Sequence, residues 1–225
     1  MKTISNYLPT LFHVANLNEN LGVKKSVVLS PGLQRMVNAL LQTHSDLESF
    51  MKVMNPTVQQ YCAEHEDKAF FGTAPSLLTL RRAYHDEAAT MWMLPQLYDL
   101  CEYCGVREKL DESQMTQLAR VIITEFPYLK VSEIMLFLHR FKAGRYGRFY
   151  GAIDPMVIMT ALRFDFMDER TAAIYEREHA EERAAWEAHC REVARERAEA
   201  RAAGRPMYPR MVTPPDKSKN DTPST

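Results

Sequence analysis

The sequence lacks any uninterrupted apolar run near the ~18–20 residues that a membrane-spanning helix needs. The residues that follow Met1-Lys2-Thr3-Ile4 do not form the apolar segment of a secretory signal. The chain has 4 cysteines in 225 residues, which is too few for a disulfide framework. These absences argue against a membrane-spanning or exported protein, and they predict a cytoplasmic protein with free thiols.

A strong net charge is absent as well. The chain has 28 basic and 29 acidic residues, so binding to nucleic acid or to an acidic membrane would depend on a local patch. Both common glycine motifs for phosphate are missing, namely G-x-G-x-x-G and G-x-x-x-x-G-K-[ST]. The metalloprotease motif H-E-x-x-H is missing too. We therefore predict a protein that is not an enzyme and that uses no cofactor or metal.

Two short cysteine motifs are the main hint of a metal in the sequence. The Cys62-x-x-His65 and Cys101-x-x-Cys104 pairs could together supply four zinc ligands. Alternatively, Cys101 and Cys104 are small core residues near the end of an amphipathic helix. A third interpretation, thiol redox chemistry at Cys101 and Cys104, lacks the strand pattern of a thioredoxin-like protein. We favour the second interpretation, because both cysteine motifs are weak signals for a metal.

Apolar residues at helical spacing predict a mostly α-helical protein. Ser30 before Pro31 marks one helix start, and Asp111 with Gln114 has the spacing of a capping box. No segment shows the alternation of a half-buried strand. The predicted helices are one over residues 31–54 with a candidate break near residue 45, one from Leu77, one from Asp86 to Gly105 through Pro95, one from Asp111 to Phe126, one capped by Ser132 and buried on most sides, and one from Asp154 through Met167.

Changes in composition along the chain predict four segments. Residues 1–30 have no sustained period and are predicted to be irregular, and residues 31–167 form a compact helical domain. Apolar residues become sparse after Met167, and residues 168–204 are mostly Ala, Glu and Arg, which predicts a long charged helix that projects from this domain. Within it, Ile174, Tyr175, Trp186 and Val193 are too widely spaced for a heptad seam. Residues 205–225, rich in Pro, Lys, Ser and Thr, are predicted to be a disordered tail.

The most specialised segment is residues 140–151, which we call the basic aromatic run. It combines four cations, four aromatic residues and three glycines, and it lies in an interval without acids between Glu133 and Asp154. Cations can neutralise phosphates, aromatic rings can stack on bases, and glycines allow positive φ angles or a close approach of the backbone. The candidate nucleic-acid or partner contacts are Arg140, Lys142, Arg145, Tyr146, Arg148, Phe149 and Tyr150, and the glycines expected to be critical for the backbone are Gly144, Gly147 and Gly151.

The same run has three interpretations. It could bind nucleic acid through its cations, or it could bind a partner protein through its aromatic rings. In the third, Phe141, Phe149 and Tyr150 fill the core, Gly144 ends a helix and the cations are solvated. The missing acids favour a binding role, because a neutralised surface intersperses the two signs of charge.

The two tryptophans have different predicted roles. Trp92, between Met91 and Met93, is predicted to be a core residue. Trp186 lies on the charged helix, where an exposed indole would mark a contact surface. We therefore add Trp186 to the candidate partner-binding residues.

The stretch from Phe71 to Arg170 resembles an uncharacterised helical family carried by prophages and other mobile elements of bacteria. The resemblance covers a little under half the chain and implies a mobile-element accessory protein that acts near DNA replication, with no catalytic residues. It rests on residues 72–77 (GTAPSL), 96–100 (QLYDL), 118–120 (LAR), 130–137 (KVSEIMLF), the basic aromatic run, and Asp154-Pro155.

These observations lead to two expected functions. The first is a non-catalytic accessory that binds DNA or a replication protein, for example in helicase loading or initiation. The alternative is a purely protein-binding structural or regulatory subunit that uses the long C-terminal helix. A steep loss of affinity with added salt would distinguish phosphate contacts from an apolar protein interface.

Overall fold

The computed structural model describes residues 29–147, Phe149 and residues 151–204. The predicted tail at 205–225 and nearly all of the predicted irregular segment at 1–30 lie outside these residues. Within them the secondary structure is helical and contains no β-strand, which confirms the mostly α fold class. A search of the same residues finds no helix with the length and apolar character that a bilayer crossing requires.

The helices of the described residues follow one another closely along the chain. In order they are α1 Pro31–Thr43, α2 Leu47–Val53, α3 Val58–Glu64, α4 Glu66–Phe71, α5 Leu77–Ala83, α6 Ala88–Cys104, α7 Glu112–Glu125, α8 Val131–Lys142, α9 Pro155–Thr160, a π-helical segment Ala161–Phe166, and α10 Met167–Ala202.

The chain divides into two compact units between Asp168 and Glu169. In the first unit α8 lies at the centre, because it packs against α3, α4 and α6. All eight residues from Val131 to Leu138 are buried, so the prediction of a helix buried on most sides is confirmed. The core of the first unit also contains Trp92, as predicted, together with Phe50 and Phe166.

Local capping signals position several helix starts as predicted. The Ser30 hydroxyl accepts from the Leu33 amide at 3.4 Å. The Asp111 carboxylate accepts from the Gln114 amide at 2.7 Å, while the Gln114 side chain accepts from the Asp111 amide at 3.0 Å. These bonds satisfy amides that the first turn of a helix leaves without an intrahelical partner.

The candidate break near residue 45 of the predicted helix over residues 31–54 is confirmed, because α1 ends at Thr43 and Asp46 caps α2 by accepting from the Ser49 amide at 2.8 Å. One prediction about a helix start needs correction. Ser132 does not cap α8, which already begins at Val131. Its hydroxyl instead donates to the Ala69 carbonyl at 2.8 Å and ties α8 to α4.

Lys130, just before α8, joins two helix ends. Its backbone amide donates to the Glu133 carboxylate at 2.8 Å, which satisfies the start of α8. Its ammonium donates to the Phe70 and Gly72 carbonyls, both at 2.8 Å, at the end of α4. A cation at this position also interacts favourably with the C-terminal end of the helix dipole.

The second unit contains most of α10, a helix of 36 residues in which no residue is buried. Ion pairs between residues four positions apart support it, including that of Arg191 with Glu187 at 3.8 Å and that of Arg177 with Glu181 at 3.0 Å. The helix ends before Gly204, whose φ of 63° is left-handed, a common way for a glycine to end a helix.

Candidate functional site

The basic aromatic run begins inside α8 and turns sharply at its end. The Gly144 amide donates to the Phe141 carbonyl at 2.9 Å, and the Arg145 amide donates to the Arg140 carbonyl at 3.1 Å. With Gly144 at a φ of 78°, these two bonds form a Schellman motif, the usual way in which a glycine ends a helix. The structural interpretation of Gly144 as a helix terminator is therefore confirmed.

The other two glycines of the run also have positive φ angles, 109° at Gly147 and 84° at Gly151. The expectation that these glycines adopt conformations that other residues resist is therefore confirmed. A Cβ atom built on Gly144, Gly147 or Gly151 would meet no atom within 4 Å. Backbone conformation rather than crowding thus explains glycine at all three positions.

Arg140 lies inside the protein rather than on a binding surface. It is only 7% exposed, and its guanidinium Nη2 is 2.6 Å from Oε1 of Glu66. The guanidinium also lies 5.6 Å from the centre of the Phe70 ring, within the range of a cation–π contact. The acid that the local sequence lacks is therefore supplied by the first residue of α4.

Lys142 has a similar arrangement with α6. Its ammonium forms an ion pair with Asp99 and lies 5.7 Å from the centre of the Tyr103 ring. The Lys142 side chain is 15% exposed, so little of it is accessible to a phosphate. Two of the four predicted phosphate contacts thus already have protein partners.

The described aromatic residues of the run pack on α8. Tyr146 stacks on Phe137 with ring centres 5.4 Å apart, and Phe149 stacks on Phe141 at 5.2 Å. Both are half-buried. These contacts match the structural interpretation for Phe149 and leave only part of each ring available to a base or a partner.

The basic aromatic run therefore separates into an inward part and an exposed turn. Arg140, Lys142, Tyr146 and Phe149 all contact the core, whereas Arg145 is exposed between two left-handed glycines. Arg148 and Tyr150 lie outside the described residues. The sequence prediction considered only the residues near the run in the chain. It could not show that the fold brings Glu66 to Arg140 and Asp99 to Lys142.

Two of the four cysteines, Cys62 and Cys101, are buried. Cys62 is buried, its sulfur is 4.0 Å from that of Met135, and burial raises the pKa of its thiol to about 11. Burial also raises the pKa values of Cys101 and Cys104. No cluster of three or more His, Cys, Asp or Glu suited to a metal ion occurs in the described part of the chain.

One face of α10 is the second candidate surface. Trp186 is 37% exposed and Tyr175 is 59% exposed. The Tyr175 ring lies 3.8 Å from that of His179, and the Trp186 ring lies 6.0 Å from that of His189. The surface of this highly charged helix therefore has two pairs of rings, and each pair consists of one aromatic side chain and one histidine.

A groove beside Trp92 is a feature that the sequence analysis missed. Its volume is about 540 Å³, within the size range of small-ligand sites, and Met51, Met54, Met91 and Pro95 are among the residues that line it. The Trp92 indole N–H donates to the Met54 carbonyl at 2.8 Å. Met51 and Met91 are forty residues apart in the sequence, so only the fold brings them together.

Comparison with protein families shows that residues 109–196 match a family of unknown function (DUF6633). The matched residues include α7, α8, the basic aromatic run and most of α10. No curated protein and no solved structure matches the chain. Over these residues the chain is thus similar to an uncharacterised family, as the sequence predicted, but the match begins after Phe71 and extends beyond Arg170 along α10.

Proposed function

We propose that this protein is a non-catalytic protein-binding subunit whose partner surface is α10. The observation that carries the proposal is a 36-residue helix with no buried residue that nevertheless has an exposed Trp186 and Tyr175. Tryptophan and tyrosine are enriched among the residues that dominate binding energy at protein interfaces. They confer no benefit to a helix that only needs to be solvated.

The composition of α10 supports the same conclusion from its energetics. Most helices in proteins gain their stability from packing an apolar face. This helix instead relies on its Ala, Glu and Arg content and on ion pairs worth about 0.3–0.5 kcal/mol each. Such a helix can keep its shape while one side remains available to a partner.

The resemblance supplies a biological setting for the proposal. We propose that the protein is a mobile-element accessory in the bacterial cytoplasm and that it binds a replication protein during helicase loading or initiation. In this setting the helical domain serves as the folded body of the subunit and performs no chemistry.

Site-specific photo-cross-linking tests the proposal directly. A photoreactive amino acid replaces Trp186 in the full chain, and in a matched control it replaces Ala184, which is about 200° around the helix. In native host cells we expect a protein cross-link from position 186 and much less from position 184. Equal capture from both positions, or from neither, would contradict α10 as the partner surface.

Nucleic-acid binding remains a second candidate because of Arg145. This arginine is exposed on the turn that Gly144 and Gly147 shape, where a phosphate could approach. Changing Arg145 and Arg148 together to Ala should weaken DNA binding and reduce its dependence on salt. An unchanged affinity, with the helical circular dichroism intact, would remove this candidate.

A further inference from the structure

One face of α10 has the spacing of a helix that pairs with another helix. Residues separated alternately by four and three positions lie along one stripe of a helix and form the seam of a coiled coil. The apolar residues alone give no continuous series, but the series becomes continuous when two histidines and two glutamates are counted as seam residues. The series is Tyr175, His179, Glu182, Trp186, His189, Val193, Glu196 and Ala200.

The charges of α10 are divided unequally along its length. Residues 176–187 have five acids against two arginines, whereas residues 191–201 have four arginines against three acids. Two parallel copies of this helix would place acidic half against acidic half. Two antiparallel copies would place the acidic half of each against the basic half of the other, which is the favourable arrangement.

We infer that α10 pairs with α10 of a second copy of this chain in an antiparallel coiled coil. The inference rests on the proposed function and names its partner. Centring the pair on Trp186 and His189, so that each faces the other across the interface, places the Trp186 and His189 rings of both copies in the middle. In an antiparallel coiled coil, a residue at heptad position a packs against a residue at position d of the other helix. In this series Trp186 is at position a and His189 is at position d, as this packing requires.

This alignment also determines the charge contacts. His179 of one copy faces Glu196 of the other, and Glu176 on the flank lies beside Arg197. On the opposite flank Glu178 lies beside Glu199, and this like-charged contact limits the affinity. Because the seam includes two glutamates, we expect a reversible dimer with a dissociation constant in the micromolar range rather than a permanent dimer.

Sedimentation equilibrium of the full chain tests the dimer. Trp186→Glu should weaken dimerisation by at least about tenfold, since it removes a central aromatic residue and adds a seam charge. The control Ala184→Glu, on the opposite face, should dimerise as the unmodified chain does. Circular dichroism of both variants verifies that the helix is retained.

Charge exchange tests the direction and alignment of the two helices. Glu176→Arg and Arg197→Glu should each weaken the dimer, and the double variant should restore it, because it exchanges the signs of an intact pair. Glu199→Lys should strengthen the dimer by removing the like-charged contact. Failure of the double variant to recover would overturn the antiparallel alignment.

The outcomes for this inference and for the proposed function can be separated. A chain that stays monomeric up to a concentration of about 100 μM, well above a micromolar dissociation constant, would overturn the inference. If position 186 still cross-links to a different protein, the proposed function survives. If position 186 cross-links only to a second copy of this chain, the inference and the role of α10 as a partner surface are supported, and binding of a replication protein through α10 is contradicted.

Discussion

Arg140 and Arg145 are five residues apart in the same basic segment, yet their environments differ completely. Arg140 is buried against Glu66 and the Phe70 ring, whereas Arg145 is exposed beyond the helix end. Burying one member of an ion pair makes its loss costly, because the remaining charge has fewer partners. Glu66 is half-exposed, so water moderates that cost here.

We expect Arg140→Ala to lower the free energy of unfolding by about 1–3 kcal/mol, through the lost ion pair and the lost packing on Phe70. Arg145→Ala should change it by less than about 0.5 kcal/mol. Urea denaturation followed by circular dichroism measures both values. Equal effects of the two substitutions would show that Arg140 is not the structural cation inferred here.

The sequence identified the residues of this site better than it identified their roles. Arg140 and Lys142 stood out because no acid lies near them in the chain, but Glu66 and Asp99 neutralise them across 74 and 43 residues of sequence. Pairings of this kind depend on how helices pack. Local signals cannot reveal them.

At the scale of helices, the ends of the elements are the features that the sequence determined most directly. Ser30, Asp111 and Asp154 act as the predicted caps, since a cap bonds to amides only two or three residues away. Ser132 did not, because tertiary packing used its hydroxyl for Ala69 instead. The short helices α3 and α4 were missed because each has only about two turns of pattern.

The end of α8 provides a test at this scale. Gly144→Ala should cost about 1 kcal/mol or more in unfolding free energy, because alanine disfavours the left-handed φ that the Schellman motif needs. Gly32→Ala is a matched control, since Gly32 lies in α1 without a positive φ, and it should be neutral or stabilising. A thermal melt that shows the same change for both would contradict the motif's contribution.

At the scale of the whole molecule, the division after Asp168 separates residues with a shared core from a helix without buried residues. A unit that buries its own core can keep its stability when a segment outside that core is removed. In the sequence, apolar residues become sparse at nearly the same position, after Met167. The alternating series used above to infer a helix pair is also present in the sequence, but a count of apolar residues omits it, because histidines and glutamates occupy four of its eight positions.

Deleting residues 176–225 should therefore leave the melting temperature of the remaining chain nearly unchanged and abolish its association. The control deletion, of residues 205–225 alone, retains all of α10 and should keep both properties. Differential scanning calorimetry and sedimentation velocity measure the two outcomes. Aggregation of the longer deletion would show that α10 contributes to the stability of the first unit.

The position of Lys130 has a consequence for how the chain folds during its synthesis. Its ammonium bonds to carbonyls at the end of α4 that precede it by 60 and 58 residues. At a translation rate of about 5–20 residues per second, the ribosome makes those carbonyls roughly 3–12 s before it makes Lys130. We therefore expect α4 to become fully stable on the nascent chain only after the start of α8 has emerged from the ribosome. The two helices should then fold together, late in the synthesis of the first unit.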